Sequence, residues 1–279
     1  AYTILGEYLP NFFYLDKAWV ESKVKELEKL EDKAWFTFIV GYFYSSKVYD
    51  NLFVLMRQHY ERALRYDFEG GRAQELLAQH IAIGYLRDQD DLVNDGLICK
   101  FLQTAKPETI ERFIGFIWMQ RINKDETDLG ETPELAEKKK HWLQVITPRI
   151  IKLWQYIFEN YQKTQKWDKK FEKVNSELVN LSVFLPELNE TNIKWILFPI
   201  ASLDSFMGAS FLIEYLKDLK DKGDINKDPE FLKRNATYLA EIWSVMLEKF
   251  APDFDLDNVQ AILSFINTHQ PELARKIFN

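Results

Sequence analysis

A cluster of aspartates is the segment of this sequence best suited to chemistry. Four aspartates lie within the eight residues from Asp88 to Asp95. Asp91 and Asp95 are four residues apart, so on a helix their carboxylates would lie one turn from each other on the same face. Carboxylates placed in this way can hold Mg²⁺ against a diphosphate. In a chain that is rich in aromatic residues, the pair predicts an all-α enzyme acting on an isoprenoid diphosphate.

The rest of the sequence does not complete that magnesium site. A diphosphate held between helices needs a second metal-binding segment on a facing helix. No other segment carries a matching pair of carboxylates flanked by Asn, Ser or Thr. We therefore favour a loop whose acids cap a helix that begins near Asn94. The enzyme that uses Asp91 and Asp95 remains the alternative hypothesis.

Other motifs that carry chemistry are absent from the sequence. It has no phosphate-binding glycine loop, no nucleophile elbow and no His-Glu-x-x-His zinc motif. His59 and His80 have apolar neighbours along their predicted helices, which is typical of hydrogen-bonded core histidines. Cys99, the single cysteine, lies in an apolar segment and is predicted to be buried. We expect a protein without catalytic residues, metal or cofactor, and hence not an enzyme.

Helices are the elements that must position any site in this chain. Hydrophobic residues recur every three or four positions through most of the sequence, as in amphipathic helices. Pro-Glu pairs that begin at positions 107, 133, 229 and 271 predict helix starts, because Pro fits the first helical position and Glu complements the positive end of the helix dipole. The last two starts are 42 residues apart, which is the period of two-helix HEAT-like units. The sequence predicts an all-α fold: an irregular HEAT-like α-solenoid of antiparallel helical hairpins.

Composition supports this fold and suggests how the chain is divided. Only 10 of the 279 residues are Gly and 9 are Pro, fewer than a many-turned β-protein needs. The polar segment 123–131 predicts a soft division near residue 128, with helical hairpins in 1–128 and in 129–279 that form one continuous body. The first residue is Ala, and the sequence ends before the hydrophobic repeat of the last predicted helix is complete. We therefore expect a piece of a longer protein. A lone cysteine and the lack of a long apolar run predict a cytoplasmic protein without a membrane segment.

The charge balance bears on the class of partner. The 36 basic and 43 acidic side chains give a net charge of -7, which disfavours broad contact with a phosphate backbone. The stretch from Lys138 to Lys170 is an exception, because basic residues there lie close to Trp142 and Trp167, a combination that can bind single-stranded nucleic acid. Acidic residues flank these lysines, so a solvated helix face is the favoured interpretation. We do not expect nucleic acid as the partner.

One part of the sequence resembles a known family. It runs from Arg72–Ile81 through Gly84–Leu86 and an acidic loop to Leu97–Leu102, and then to Pro107–Phe116. This pattern resembles the C-terminal helical-repeat region of large bacterial STAND-type signalling NTPases, which include antiphage defence proteins. The similarity continues loosely through 176–203 and 235–277. The resemblance implies that the NTPase and effector modules lie in other parts of the parent chain, and that this region is the sensor or scaffold.

These observations predict a non-catalytic helical-repeat scaffold or sensor region. Stacked helical hairpins form a long concave surface that suits recognition of another protein, or of another domain of the parent chain. The affinity of such a surface comes mostly from a few exposed aromatic residues. Five aromatic residues on helix faces that cannot all be core are the predicted partner contacts: Trp35, Tyr42, Tyr44, Trp142 and Trp167.

Overall fold

The computed structural model is all-helical, which confirms the predicted all-α class. It describes residues 1–45, 47–68, 71–120, 132–164, 169–203, 215, 228–250 and 256–278, and within these ranges it contains no strand. The chain divides into two compact units, Ala1–Arg149 and Ile150–Asn279. The division predicted near residue 128 falls outside the described residues, so that boundary stays a prediction.

The first unit is a succession of short helices. In chain order they are α1 (Tyr2–Glu7), α2 (Leu9–Leu15), α3 (Lys17–Leu27), α4 (Asp32–Phe43), α5 (Asp50–Leu55), α6 (Arg57–Ala63), α7 (Arg72–Leu86), α8 (Leu97–Thr104), α9 (Pro107–Trp118) and α10 (Pro133–His141). A π-helical turn, Trp142–Ile146, then leads into α11 (Thr147–Thr164), which contains the boundary between the units.

The second unit has longer helices. After α11 come α12 (Glu172–Asn180), α13 (Ile193–Ser202), α14 (Pro229–Phe250), α15 (Leu256–His269) and α16 (Pro271–Phe278). Short 3₁₀ segments, Lys169–Phe171 and Leu181–Phe184, lie on either side of α12. Among the helices in the described ranges, none combines the length and the apolar character that crossing a membrane requires.

All four helix starts predicted from the Pro-Glu pairs are confirmed. Four helices, α9, α10, α14 and α16, begin at the prolines of these pairs. At α14 the preceding residue also acts as a cap, since the Asp228 carboxylate accepts a hydrogen bond from the backbone N–H of Glu230 at 3.0 Å. Helix starts are fixed by local chemistry, which is why sequence alone finds them.

Two glycines bring the backbones of α1 and α4 into direct contact. A Cβ atom added to Gly6 would lie 2.1 Å from the carbonyl oxygen of Phe38. A Cβ atom added to Gly41 would lie 2.1 Å from the carbonyl oxygen of Thr3. Neither distance is tolerable for carbon against backbone oxygen, so a side chain at either position would push the two helices apart. The crossing fixes the position of α1, and with it the position of Tyr8, the residue that follows α1.

We expect Gly41→Ala to lower the free energy of unfolding by about 1–3 kcal/mol, the usual cost of overpacking a close contact. Alanine favours a helix interior more than glycine does, so without this contact the substitution would stabilise the protein. Urea denaturation followed by circular dichroism measures the change. Gly71→Ala is the matched control, because a Cβ atom there lies 3.2 Å from a single backbone oxygen, that of Phe68. Equal effects of the two substitutions would contradict the role assigned to the crossing.

Candidate functional site

Two of the aromatic residues predicted to contact a partner belong to the core. Trp35 and Tyr42 are fully buried, so their predicted placement on a face outside the core is wrong. Both lie on α4, seven residues apart with Ile39 between them, and this spacing places all three on one helix face. That face is packed inside the first unit, where the Trp35 indole N–H donates to Nδ1 of His59 at 2.9 Å.

The other predicted contact residues have mixed positions. Tyr44 follows α4 and is 54% exposed, so it is accessible to a partner. Trp142 is half-buried, and its indole N–H donates to the carbonyl oxygen of Gln120 at 2.7 Å. Trp167 lies outside the described residues. Tyr44 is therefore the predicted residue around which a surface site can be built.

The prediction that His59 is a hydrogen-bonded core residue is confirmed. Its Nδ1 atom accepts from Trp35, and its Nε2 atom lies 3.3 Å from the carbonyl oxygen of Val24. This arrangement suits a neutral imidazole that carries its proton on Nε2. Burial lowers the pKa of His59 to about 4.

His80 is the second confirmed core histidine. Its Nδ1 atom lies 3.0 Å from the Tyr60 hydroxyl, which is 3.2 Å from the Tyr42 hydroxyl. Burial lowers the pKa of His80 to about 4, and a hydrogen bond to the backbone of Phe43 opposes that shift. Cys99 is buried, as predicted. Both buried histidines thus have hydrogen-bond partners inside the first unit.

The aspartate cluster caps a helix, and the residue that does so is Asp90. Its buried carboxylate accepts hydrogen bonds from the backbone N–H groups of Leu97, at 3.0 Å, and of Ile98, at 2.6 Å. These are the first two residues of α8, which begins three residues later than the predicted start near Asn94. The Arg57 guanidinium donates to the same carboxylate at 3.1 Å.

Two arginines fasten the aspartate loop to the rest of the first unit. Besides its bond to Asp90, Arg57 donates to the carbonyl oxygen of Asp95 at 2.8 Å. Arg149 donates from Nε to the carbonyl oxygen of Tyr85 at 2.6 Å and also binds the Asp88 carboxylate and the Asp90 carbonyl oxygen. Asp88 has a left-handed backbone with a φ of 62°, which makes the sharp turn after α7. The loop is therefore held by contacts from several elements.

Asp91 and Asp95, the pair in the alternative hypothesis, lie on the outside of this loop. Both are exposed, and the Asp91 carboxylate accepts from the backbone N–H of Leu92 at 2.8 Å. They do not lie on a helix, since α8 begins only at Leu97. In the part of the chain that the structure describes, no group of three His, Cys, Asp or Glu residues is placed to hold a metal ion. The geometry thus accounts for the cluster as a structural loop.

A groove beside Tyr44 is a candidate site in the first unit. It has a volume of about 310 Å³ and lies where the junction of α1 and α2 meets the end of α4. Tyr8, which also lines the groove, is 49% exposed, close to the exposure of Tyr44. We call it the tyrosine groove, and its lining residues are Glu7, Tyr8, Pro10, Asn11, Tyr44, Ser45 and Lys47. Aromatic rings, hydroxyls, an amide and one charge of each sign give it both apolar and hydrogen-bonding character.

The exposed apolar surface continues along α2. Tyr14 is 81% exposed and Leu15 is 77% exposed. They follow Asn11 by three and four residues, so they share its helix face next to the tyrosine groove. Tyr8, Tyr14 and Leu15 were not among the predicted contact residues, although the run Phe12–Leu15 offers a signal. Four consecutive apolar residues on a helix cannot all face one core.

Comparisons with known proteins show no relative of the chain. No protein-family model matches it, and neither a curated protein nor a solved structure matches it significantly. The resemblance to STAND-type NTPases therefore stays a prediction. Among the described residues, the tyrosine groove offers two half-exposed aromatic side chains in one depression of the surface.

Proposed function

We propose that this chain is a non-catalytic helical scaffold that recognises a segment of another protein at the tyrosine groove. The observation that carries the proposal is the pair of half-exposed tyrosines, Tyr8 and Tyr44, that line one groove. Tyrosine gives a large contact area at a low cost in conformational entropy, and its hydroxyl can bind a peptide backbone. The neighbouring Tyr14 and Leu15 enlarge the apolar surface, and contiguous surfaces of this kind mark interaction sites.

We further propose that the helices form an irregular HEAT-like α-solenoid of antiparallel hairpins. The order of contacts within each unit supports this arrangement. In the first unit α2 packs on α3, and α7 packs on α8 and α9. In the second unit α12 packs on α13, α14 on α15, and α15 on α16. Most of these contacts join neighbours in sequence, as stacked helical repeats require, whereas the extensive contact of α1 with α4 joins helices that are further apart.

The resemblance within residues 72–116 extends the proposal to the parent protein. On that basis the chain is the scaffold or sensor region of a cytoplasmic bacterial signalling or defence NTPase. Its partner is then another protein or another domain of the parent chain. Catalysis would belong to the NTPase module, in a different part of the parent chain.

Selection of peptides from a random phage-displayed library on the purified chain tests the tyrosine groove. We expect the selected peptides to bind the double variant Tyr8→Ala/Tyr44→Ala at least about tenfold more weakly, as when hot-spot aromatics are removed. Both side chains are half-exposed, so the variant should keep its fold, which circular dichroism verifies. Fluorescence anisotropy of the labelled peptides gives the dissociation constants.

The matched control is Phe198→Ala, which removes an exposed aromatic side chain in the other unit. Its affinity for the selected peptides should equal that of the unmodified chain. Failure to select any peptide, or equal affinity for the double variant and the unmodified chain, would refute the proposed function.

A further inference from the structure

The second unit contains a groove that is independent of the tyrosine groove. It has a volume of about 530 Å³ and lies between α14 and α16. We call it the α14–α16 groove, and its lining residues are Thr237, Ala240, Glu241, Ser244, Leu247, Glu248, Leu273, Lys276 and Ile277. The residues from α14 span positions 237 to 248, about 16 Å along the helix axis at 1.5 Å per residue. The groove is therefore about three helical turns long.

Small side chains of α14, which we call the floor, and apolar side chains of both helices, which we call the walls, line this groove. Thr237, Ala240 and Ser244 lie three and four residues apart on one face of α14, where they leave room for close approach of another backbone. Leucine and isoleucine side chains, all half-buried, form the walls: Leu247, Leu273 and Ile277. An occupant would bury these side chains and gain their apolar contact.

The hydroxyl groups of the floor already have partners within the unit. The Thr237 hydroxyl donates to the carbonyl oxygen of Lys233 at 2.9 Å and accepts from the side chain of Gln270 at 2.8 Å. The Ser244 hydroxyl donates to the carbonyl oxygen of Ala240 at 2.9 Å. An extended peptide would find few partners here for its own backbone N–H and C=O groups. A helix satisfies those groups internally, so a helix is the occupant that fits this floor.

Charges along the two edges define the occupant further. Glu241 and Glu248 are exposed and seven residues apart on α14, which is two turns, or about 10 Å along the axis. Lys276 is exposed on the α16 edge. Within the described ranges these three side chains form no ion pair. Two acids on one edge and a base on the other are thus free to meet opposite charges on a helix between them.

We propose that the α14–α16 groove binds an amphipathic helix of another protein. The helix carries basic residues seven positions apart on the flank that faces Glu241 and Glu248, and an acidic residue on the flank that faces Lys276. Small or apolar residues fill its inner face. This inference goes beyond the proposed function, because it concerns a different unit and does not depend on Tyr8 or Tyr44.

A pair of synthetic helical peptides tests the proposal. Both are alanine-leucine helices of about five turns, one with arginines seven positions apart and the other with glutamates at those positions. We expect the full chain to bind the arginine peptide at least about tenfold more tightly at low salt, because like charges along the groove edge oppose the glutamate peptide. Fluorescence anisotropy measures both affinities. Equal affinities, or no binding of the arginine peptide, would overturn the proposal.

Two variants locate the binding. The charge reversal Glu241→Lys/Glu248→Lys should reverse the preference between the peptides, and Ser244→Leu, which fills the floor, should weaken both at least about tenfold. The control Glu21→Lys/Glu28→Lys changes two acids that are also seven residues apart but lie on or next to α3, and it should leave the preference unchanged. A preference that survives the charge reversal in the groove would overturn the proposal. Self-association of the chain that Glu241→Lys/Glu248→Lys abolishes would also overturn the proposal, because the occupant of the groove would then be a second copy of the chain.

Discussion

Replacing Asp90 with alanine is expected to lower the free energy of unfolding by about 3 kcal/mol or more. The Asp90 carboxylate accepts two backbone N–H groups of α8 and binds Arg57, although it is itself buried. Without it, the first turn of α8 loses its cap and Arg57 loses the ion pair that ties α6 to the loop. Urea denaturation monitored by tryptophan fluorescence measures the loss.

Asp91→Ala and Asp95→Ala are the controls for that experiment. Both side chains are exposed, so each substitution should cost less than about 1 kcal/mol. A loss at Asp91 as large as the loss at Asp90 would contradict the capping role. The same variants test the alternative enzyme, which predicts thermal stabilisation by Mg²⁺ with a diphosphate that disappears when Asp91 or Asp95 is removed.

Acidification from pH 7 to pH 5 is expected to lower the free energy of unfolding by about 3–4 kcal/mol. His59 and His80 both have a pKa of about 4 in the folded protein, because burial disfavours the charged imidazole. In the unfolded chain the pKa of each returns to about 6.5. Between these values the unfolded chain binds protons that the folded protein does not, so stability is lost as the pH falls through this window. Urea denaturation at pH 7, 6 and 5 measures the change.

The two types of histidine in the chain separate this effect from general acid sensitivity. His141→Gln, at an exposed position, is the control substitution. His80→Gln should remove about half of the pH dependence, whatever its effect on stability at pH 7. A free energy of unfolding that stays constant from pH 7 to pH 5 would contradict the lowered pKa of the two buried histidines.

The features that sequence predicted well are those fixed by neighbouring residues. The prolines at 107, 133, 229 and 271 start helices because their missing N–H groups need no partner in that position. Burial of His59 and His80 follows from the apolar residues around them. The sequence also predicted that the aspartate cluster caps a helix. It did not predict which of the four aspartates acts as the cap. Choosing Asp90 depends on Arg57 and Arg149, which are distant in sequence.

Surface exposure was harder to predict because it depends on which helices pack together. Nine of the twelve positions of α4 are apolar or aromatic, so its sequence does not separate the core face with Trp35 and Tyr42 from the exposed end at Tyr44. Conversely, Tyr14 and Leu15 have the composition of core residues, yet α2 leaves them in solvent. The tyrosine groove depends on how α1 meets α4, which no local pattern encodes.

The glycine crossing has an evolutionary consequence. Neither Gly6 nor Gly41 lines the tyrosine groove, yet both determine how near Tyr8 lies to Tyr44. Under the proposed function, descendants of this sequence can exchange one aromatic ring for another, but they should retain glycine at both positions. A lineage that loses either glycine should also lose selection on the tyrosines, so these four sites are expected to diverge together.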